Sequence, residues 1–278
     1  MRRKTMSHAA VLMFIFTCGR GYAEDLNITP RVQETYVWCW VAVGEMVFEH
    51  FDVPNVNPGG DYQCGIIGLL AAGTMRQDCA FRCQNCTVPA GSAAGVRNMI
   101  EEYPRRVAAV GDEDVPRLAA TYHSGALPFN SVRREIDDGH PVIAGISPSG
   151  RPSPFAGSQH VALIVGYNDE SDQTRLLVND PYPFAASNPY VSVGAEPNGD
   201  GSYWIDYAAF RDRLHWAESF AVRQTGMIAA VRKGDYCCFL GPYGADSCPL
   251  NLSGHLPLGS LCTCTYPGAR FTGRVCNP

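Results

Sequence analysis

Cys39 stands between Trp38 and Trp40 at the head of a nearly unbroken apolar run, Thr35–Phe51. A thiol at the start of a helix is placed to react. The unpaired N–H groups of a first turn and the positive end of the helix dipole favour a thiolate, and the thiolate is the nucleophile. Gln33, six residues upstream, carries a side-chain amide that would donate to an oxyanion beside the Cys39 N–H. Removing one such donor costs roughly 3–4 kcal/mol of barrier. His160 opens one apolar run, His160–Tyr167, and Asp180 closes another, Leu176–Asn179. Paired antiparallel, two such strands set the carboxylate against one imidazole nitrogen and leave the other for the thiol. Asn179 is the rival for the orienting role. Alternation along a strand sends residues 179 and 180 to opposite faces, so only one can reach His160, and Asp180 is preferred. Together these groups would carry out acyl transfer through a thioester.

The other cysteines frame that reading. The chain has 12 of them in 278 residues. Met-Arg-Arg-Lys precedes the apolar stretch Ala9–Phe16 and then Gly21-Tyr22-Ala23, the layout of a secretory signal peptide cleaved after Ala23. That apolar stretch is too short to span a bilayer, and no later one is long enough. The expected location is secreted or periplasmic, with no membrane partner once the signal is removed. Cleavage takes Cys18 and leaves 11 cysteines, an odd number, and a leftover thiol in a secreted protein is either reactive or bonded to another chain. Ten fall into two even groups: Cys64, Cys79, Cys83 and Cys86, then Cys237, Cys238, Cys248, Cys262, Cys264 and Cys276. Cys39 belongs to neither. The spacing Cys79-x3-Cys83-x2-Cys86 coincides with an iron–sulfur motif, but such clusters belong in a reducing compartment. Disulfides are therefore expected throughout, with three pairings open in the first group and fifteen in the second. No metal and no cofactor is expected.

The elements that must position these groups change character along the chain. A buried helix is expected from about Cys39 to Phe51, ended by Asp52-Val53-Pro54. Shorter helices are expected over Gly65–Gly73, Ala93–Tyr103, Asn130–Asp138 (with Asn130 as its cap and Gly139 past its end) and Tyr207–Trp216. Strand-like runs follow at Pro141–Ile146, His160–Tyr167, Leu176–Asn179, Ser219–Val222 and Met227–Val231. Helices first and strands later make an α+β protein. From Asp235 onward, six cysteines lie among glycines and prolines, and a piece of about 40 residues needs staples to hold a fold. The expected domains are a signal peptide at 1–23, a catalytic domain at 24–232 and a cysteine-rich module at 233–278. Composition is 46% apolar and 18% charged, which excludes disorder. The formal charge of −5 becomes −9 when Arg2, Arg3, Lys4 and Arg20 leave with the signal, which excludes a nucleic-acid partner.

The motifs carry a resemblance. Gln33-x5-Cys39-Trp40, followed 121 residues later by His160-x5-Gly166-Tyr167, resembles the papain-like cysteine peptidases. Asp138-Gly139-His140-Pro141-Val142-Ile143 and Val178-Asn179-Asp180-Pro181 add similarity to the bacterial branch, near the double-glycine leader peptidases and plant-pathogen effector peptidases. It extends from about Val32 to Arg232. The resemblance implies a helical lobe and an antiparallel sheet lobe with the active site between them. It assigns Cys39 as nucleophile, His160 as base, Asp180 as orienter and Gln33 as oxyanion donor, acting on a protein or peptide. Papain itself has Cys-Gly-Ser/Ala ahead of its nucleophile where this chain has Tyr36-Val37-Trp38, and it orients its histidine with Asn. The same triad would also serve an acyl transferase or deamidase, and the scaffold would also suit an inactive binding protein whose cysteine-rich tail meets an unknown partner. His140 is the rival histidine, and Tyr182 and Trp204 are candidates to shield the site from water.

Overall fold

The computed structural model describes residues 23–71, 83–111, 113–149, 158–170, 173–184, 187–199 and 201–230. In the tail it describes 233–234, 236–241, 244–250, 256–257, 260–266 and 269–276. Cys18, Cys79 and all of the expected signal peptide except Ala23 lie outside these residues.

In chain order the first half holds β1 (Ala23–Asp25), α1 (Cys39–His50), α2 (Tyr62–Ala71) and α3 (Ala93–Val110). Then come β2 (Val115–Ser124), α4 (Phe129–Asp137), β3 (Val142–Ile146), β4 (His160–Asn168) and β5 (Arg175–Asn179). A single turn, α5 (Pro189–Ser192), leads to β6 (Glu196–Pro197), β7 (Ser202–Asp206) and β8 (Glu218–Ile228). The strands β1 to β8 form one antiparallel sheet in the order β2-β8-β3-β4-β5-β7-β6, with β1 added on β4. Apart from the short β1, three helices come before the sheet strands and α4 lies between β2 and β3, the segregated layout expected of an α+β protein.

Why α1 is buried follows from its composition. Eight of its twelve residues, from Trp40 to Phe48, are inaccessible apart from Glu45, and they pack with α2, α3 and one face of the sheet. Alternation along β4 divides the two cores. Val161, Leu163 and Val165 face the helices, while Ala162 and Ile164 face a second core closed by α4, Tyr190, Phe210 and Trp216. Burying apolar side chains on both faces, at about 25 cal/mol per Å² of apolar surface, is what holds β4 at the centre. It is the strand that carries His160.

Several expectations need correction. Asn130 does not cap α4, because the helix begins at Phe129 behind Pro128, with no side-chain cap. Gly139, at φ +81°, does end it. Of the two strands expected at Ser219–Val222 and Met227–Val231, the first and Met227–Ile228 of the second lie in one strand, β8, whose polar middle lies on an exposed stretch beside β2; residues 229–230 fall past its end and Val231 lies outside the described residues. Tyr207–Trp216 gives a π-helical turn at Ala209–Arg213 instead of a helix. The second helix spans Tyr62–Ala71, so it starts three residues before the expected Gly65. The third runs through Pro104 to Val110, since amphipathic packing against α2 and β2 outweighs the local cost of the proline.

The tail holds regular structure where none was expected. β9 (Lys233–Gly234) pairs with β12 (Leu256–Pro257), while β10 (Tyr236–Gly241), β11 (Gly244–Pro249), β13 (Leu261–Tyr266) and β14 (Ala269–Cys276) form a sheet in the order β11-β10-β14-β13. Disulfides Cys237–Cys262, Cys238–Cys276 and Cys248–Cys264 select one of the fifteen pairings. In the helical lobe Cys64 pairs with Cys83, and Cys86 is also disulfide-bonded.

A segment before α1 ties the lobes together. β1 pairs with β4, Leu26 N–H donates to Val165 O, and Asn179 Nδ2 donates to Ile28 O. Gln33 N–H then donates to Pro181 O on the sheet side. On the helical side Arg31 makes a bidentate pair with Glu49, and Gln63 Nε2 donates to Val32 O.

Candidate active site

Cys39 is the first residue of α1, and among the described residues it is the one free cysteine. Trp38 precedes it as a fully buried cap position without a side-chain cap; its carbonyl accepts from the Val41 and Ala42 N–H groups, and no cap takes those of Cys39 and Trp40. Both flanking tryptophans have structural jobs. Trp38 Nε1 donates to Cys86 O at 2.8 Å, and Trp40 Nε1 donates to Val88 O at 3.1 Å. The disulfide-stapled loop is thereby fixed against the first turn of α1. Just beyond it, residues 89–93 form one wall of a cleft of about 650 Å³.

The opposite wall comes from the sheet: Ser158, Gln159, His160 and Val161 at the start of β4, then Tyr182, Phe184 and Glu218. Cys39 and His160 thus line one cavity between the lobes. His160 Nε2 lies 2.8 Å from Asp180 Oδ1, and Cys39 lies close enough to the imidazole to add to the rise of its pKa. Asp180 has a fully buried side chain with three donors. Its Oδ1 accepts from His160 and from the Tyr182 N–H at 2.8 Å, and its Oδ2 accepts from Tyr190 Oη at 2.8 Å. Asn179 turns away, spending its amide on Ile28 O. Of the two adjacent candidates, Asp180 is therefore the one that touches His160.

Electrostatics follow from that arrangement. Burial by itself lowers the His160 pKa, but the charge and hydrogen bond of Asp180, with a further contribution from Cys39, outweigh it and raise the imidazole to about 10. Burial and the same carboxylate push the Tyr190 phenol well above its ordinary value, so it remains a donor. Tyr182 sets its ring edge-on to His160, with centroids 6.3 Å apart, and is 42% exposed, where it can screen the imidazole from solvent. Trp204 does not reach the cleft; it packs against the helical core beneath Arg175. His140 sits 3.4 Å from Glu135, away from the cavity.

Gln33 is buried and lies outside the cleft lining. Its Nε2 donates to Thr35 O at 2.7 Å, and its Oε1 has no partner. Gln63 brackets it, donating to Val32 O and accepting from the Glu34 N–H, while Glu45 accepts from the same Gln63 amide. Burial, Asp61 and Glu45 raise the neighbouring Glu34 carboxyl to about 7. Tyr190, Gln63 and Glu218 were not singled out from sequence, because each reaches the site through topology; nothing in their local sequence marks them.

The sequence pattern of the Peptidase_C39-like family matches residues 25–197, which include Gln33, Cys39, His160 and Asp180. The chain belongs to this family. The resemblance to papain-like cysteine peptidases carried by the motifs is borne out at that level. No curated protein matches the chain. Among solved structures it is similar to a digestive procathepsin L2 proteinase from Tenebrio molitor larval midgut, with 17% identity, over 72% of this chain and 67% of that one, at a TM-score of 0.38. No helix among the described residues is long and apolar enough to cross a membrane.

Proposed function

We propose that this cysteine peptidase hydrolyses peptide bonds in proteins or peptides through Cys39, His160 and Asp180. The observation that carries the reading is the shared cleft, lined by the one free thiol among the described residues and by an imidazole whose Nε2 is held by a buried carboxylate. In this reading Cys39 and His160 react as a thiolate–imidazolium pair. The thiolate attacks the scissile carbonyl carbon, and the carbonyl oxygen becomes an oxyanion. In this reading the Cys39 N–H donates to it, and Gln33, buried outside the cleft lining with its amide on Thr35 O, would have to turn toward the cleft to add a second donor. The imidazolium then protonates the leaving amine, and the thioester forms as the C–N bond breaks. Neutral His160 next takes a proton from water, which attacks the thioester; the acid is released as the C–S bond breaks, and the thiolate–imidazolium pair is restored. Asp180 holds the ring and stabilises the imidazolium throughout.

Disulfides in both halves support residence in an oxidising compartment, reached by removal of residues 1–23. Residues 24–232 act as the peptidase domain and 233–278 as an accessory module. The test is peptide-library cleavage by purified residues 24–278, read by product mass spectrometry, with Cys39→Ala as control. Alkylation by iodoacetamide should be confined to Cys39 at neutral pH. Cleavage that survives Cys39→Ala would sink the assignment, and products of transferred or deamidated mass would identify the alternative chemistry.

A further inference from the structure

We propose that Glu218 selects a cationic side chain, lysine or arginine, in the peptide that lies along the cleft. The identity of the ligand as a peptide rests on the peptidase reading above. Among the described lining residues Glu218 is the one carboxylate, and no lysine or arginine accompanies it. The rest of the wall is apolar, aromatic or hydroxyl-bearing, apart from Gln159 and the Cys39–His160 pair. Because Asp180 and the His160 imidazolium compensate each other, Glu218 supplies a charge that no other described lining residue answers.

The carboxylate occupies a built position. Glu218, Gly145 and Val161 are cross-strand partners in one row over β8, β3 and β4. A Cβ at residue 145 would lie 2.5 Å from Ser158 Oγ and 3.0 Å from Glu218 Cβ, so the glycine provides the space in which these two side chains meet. Ser158 donates to Glu218 Oε2 twice, from its backbone N–H at 3.2 Å and its hydroxyl at 2.9 Å. The other oxygen, Oε1, has no hydrogen-bond partner among the described residues, and Glu218 enters no ion pair there. One oxygen is anchored and the other is left to accept.

Such a group has a specific preference among ligands. A carboxylate in a partly desolvated wall gains more from an ammonium or guanidinium than one in open water, and it rejects a like charge. The acidic chain as a whole also draws cations toward the cleft. Glu218 lies beyond residues 25–197, so this selectivity is supplied by the part of the chain outside the family match.

The test uses the Cys39→Ala form of residues 24–278, which binds without turnover. Fluorescent peptides differing at a single position, arginine, lysine, norleucine or glutamate, are titrated by anisotropy at each register. Arginine and lysine peptides should bind at least tenfold tighter than norleucine at one register, a difference of about 1.4 kcal/mol, and rising salt should shrink it. Adding Glu218→Gln, which keeps an acceptor for Ser158 and removes the charge, should collapse the ratio to near unity. Glu218→Asp should keep a cation preference, whereas a purely structural role makes both variants fail alike. A ratio unchanged by Glu218→Gln, no basic preference at any register, or no measurable binding of the basic peptides overturns the proposal. Wild-type protein incubated with the same peptides and read by mass spectrometry tests hydrolysis separately, so failure of one leaves the other legible.

Discussion

Asp180→Asn separates the charge of the third residue from its geometry. The amide keeps an oxygen to accept from His160 Nε2 and the Tyr182 N–H, and its NH2 can donate to Tyr190 Oη, which turns from donor to acceptor. What disappears is the negative charge that raises the imidazole to about 10 against burial. An opposite charge in contact is worth about one to three pKa units, or roughly 1.4–4 kcal/mol. Without it burial dominates, and His160 releases its proton at lower pH. The basic limb of the kcat/KM profile, measured with a fluorogenic peptide, should therefore move acidward by at least about one unit. The stability sign runs the same way. A histidine pKa raised on folding stabilises the native state fully below about 6.5, and that contribution is lost as pH climbs through about 10. The urea-measured stability gap between wild type and variant should thus narrow between pH 7 and pH 10. A basic limb that stays in place, with the variant folded, would refute the claim that Asp180 holds the imidazolium.

Tyr190→Phe leaves Asp180 Oδ2 buried without its donor and should cost about 1–3 kcal/mol by urea denaturation at pH 7; a change near zero would mean that water replaces the phenol. Cys64→Ala/Cys83→Ala opens a crosslink with a sequence separation of 19. Chain-entropy arguments put that loss at about 3 kcal/mol, and thermal unfolding should show a lower midpoint unless the loop is held mainly by Trp38 and Trp40.

Legibility in the sequence tracked how local each feature is. Cys39 could be placed at a helix start because an apolar run and a proline stop are both written within 20 residues. His160 and Asp180 were legible because each sits at the end of a continuous apolar strand, and alternation alone forced a choice between Asn179 and Asp180. What escaped depends on neighbours distant in the chain. β2 went unseen because its second half is exposed, so its pattern lacks a sustained apolar alternation. β8 was split in two because Arg223, Gln224 and Thr225 look like a turn, while their pairing with β2 keeps them extended. Glu218 enters the cleft because β8 inserts between β2 and β3, an order that no local pattern encodes. The disulfide pairings likewise depend on strand order, as Cys237–Cys262 joins β10 to β13 across β14.

The segment from β1 to Trp38 has a consequence for what can enter the cleft. It is bonded to the sheet at Val165, Asn179 and Pro181, and to the helices at Glu49 and Gln63. A belt fastened on both sides opposes opening of the lobes, so on the peptidase reading the cleft would act more as a gauge than as a jaw. Entry is then governed by the guest's thickness. On the peptidase reading, an extended, single-stranded segment would slide through while a packed helix or hairpin would first have to unravel, and the rate of cleavage would read local unfolding in the substrate.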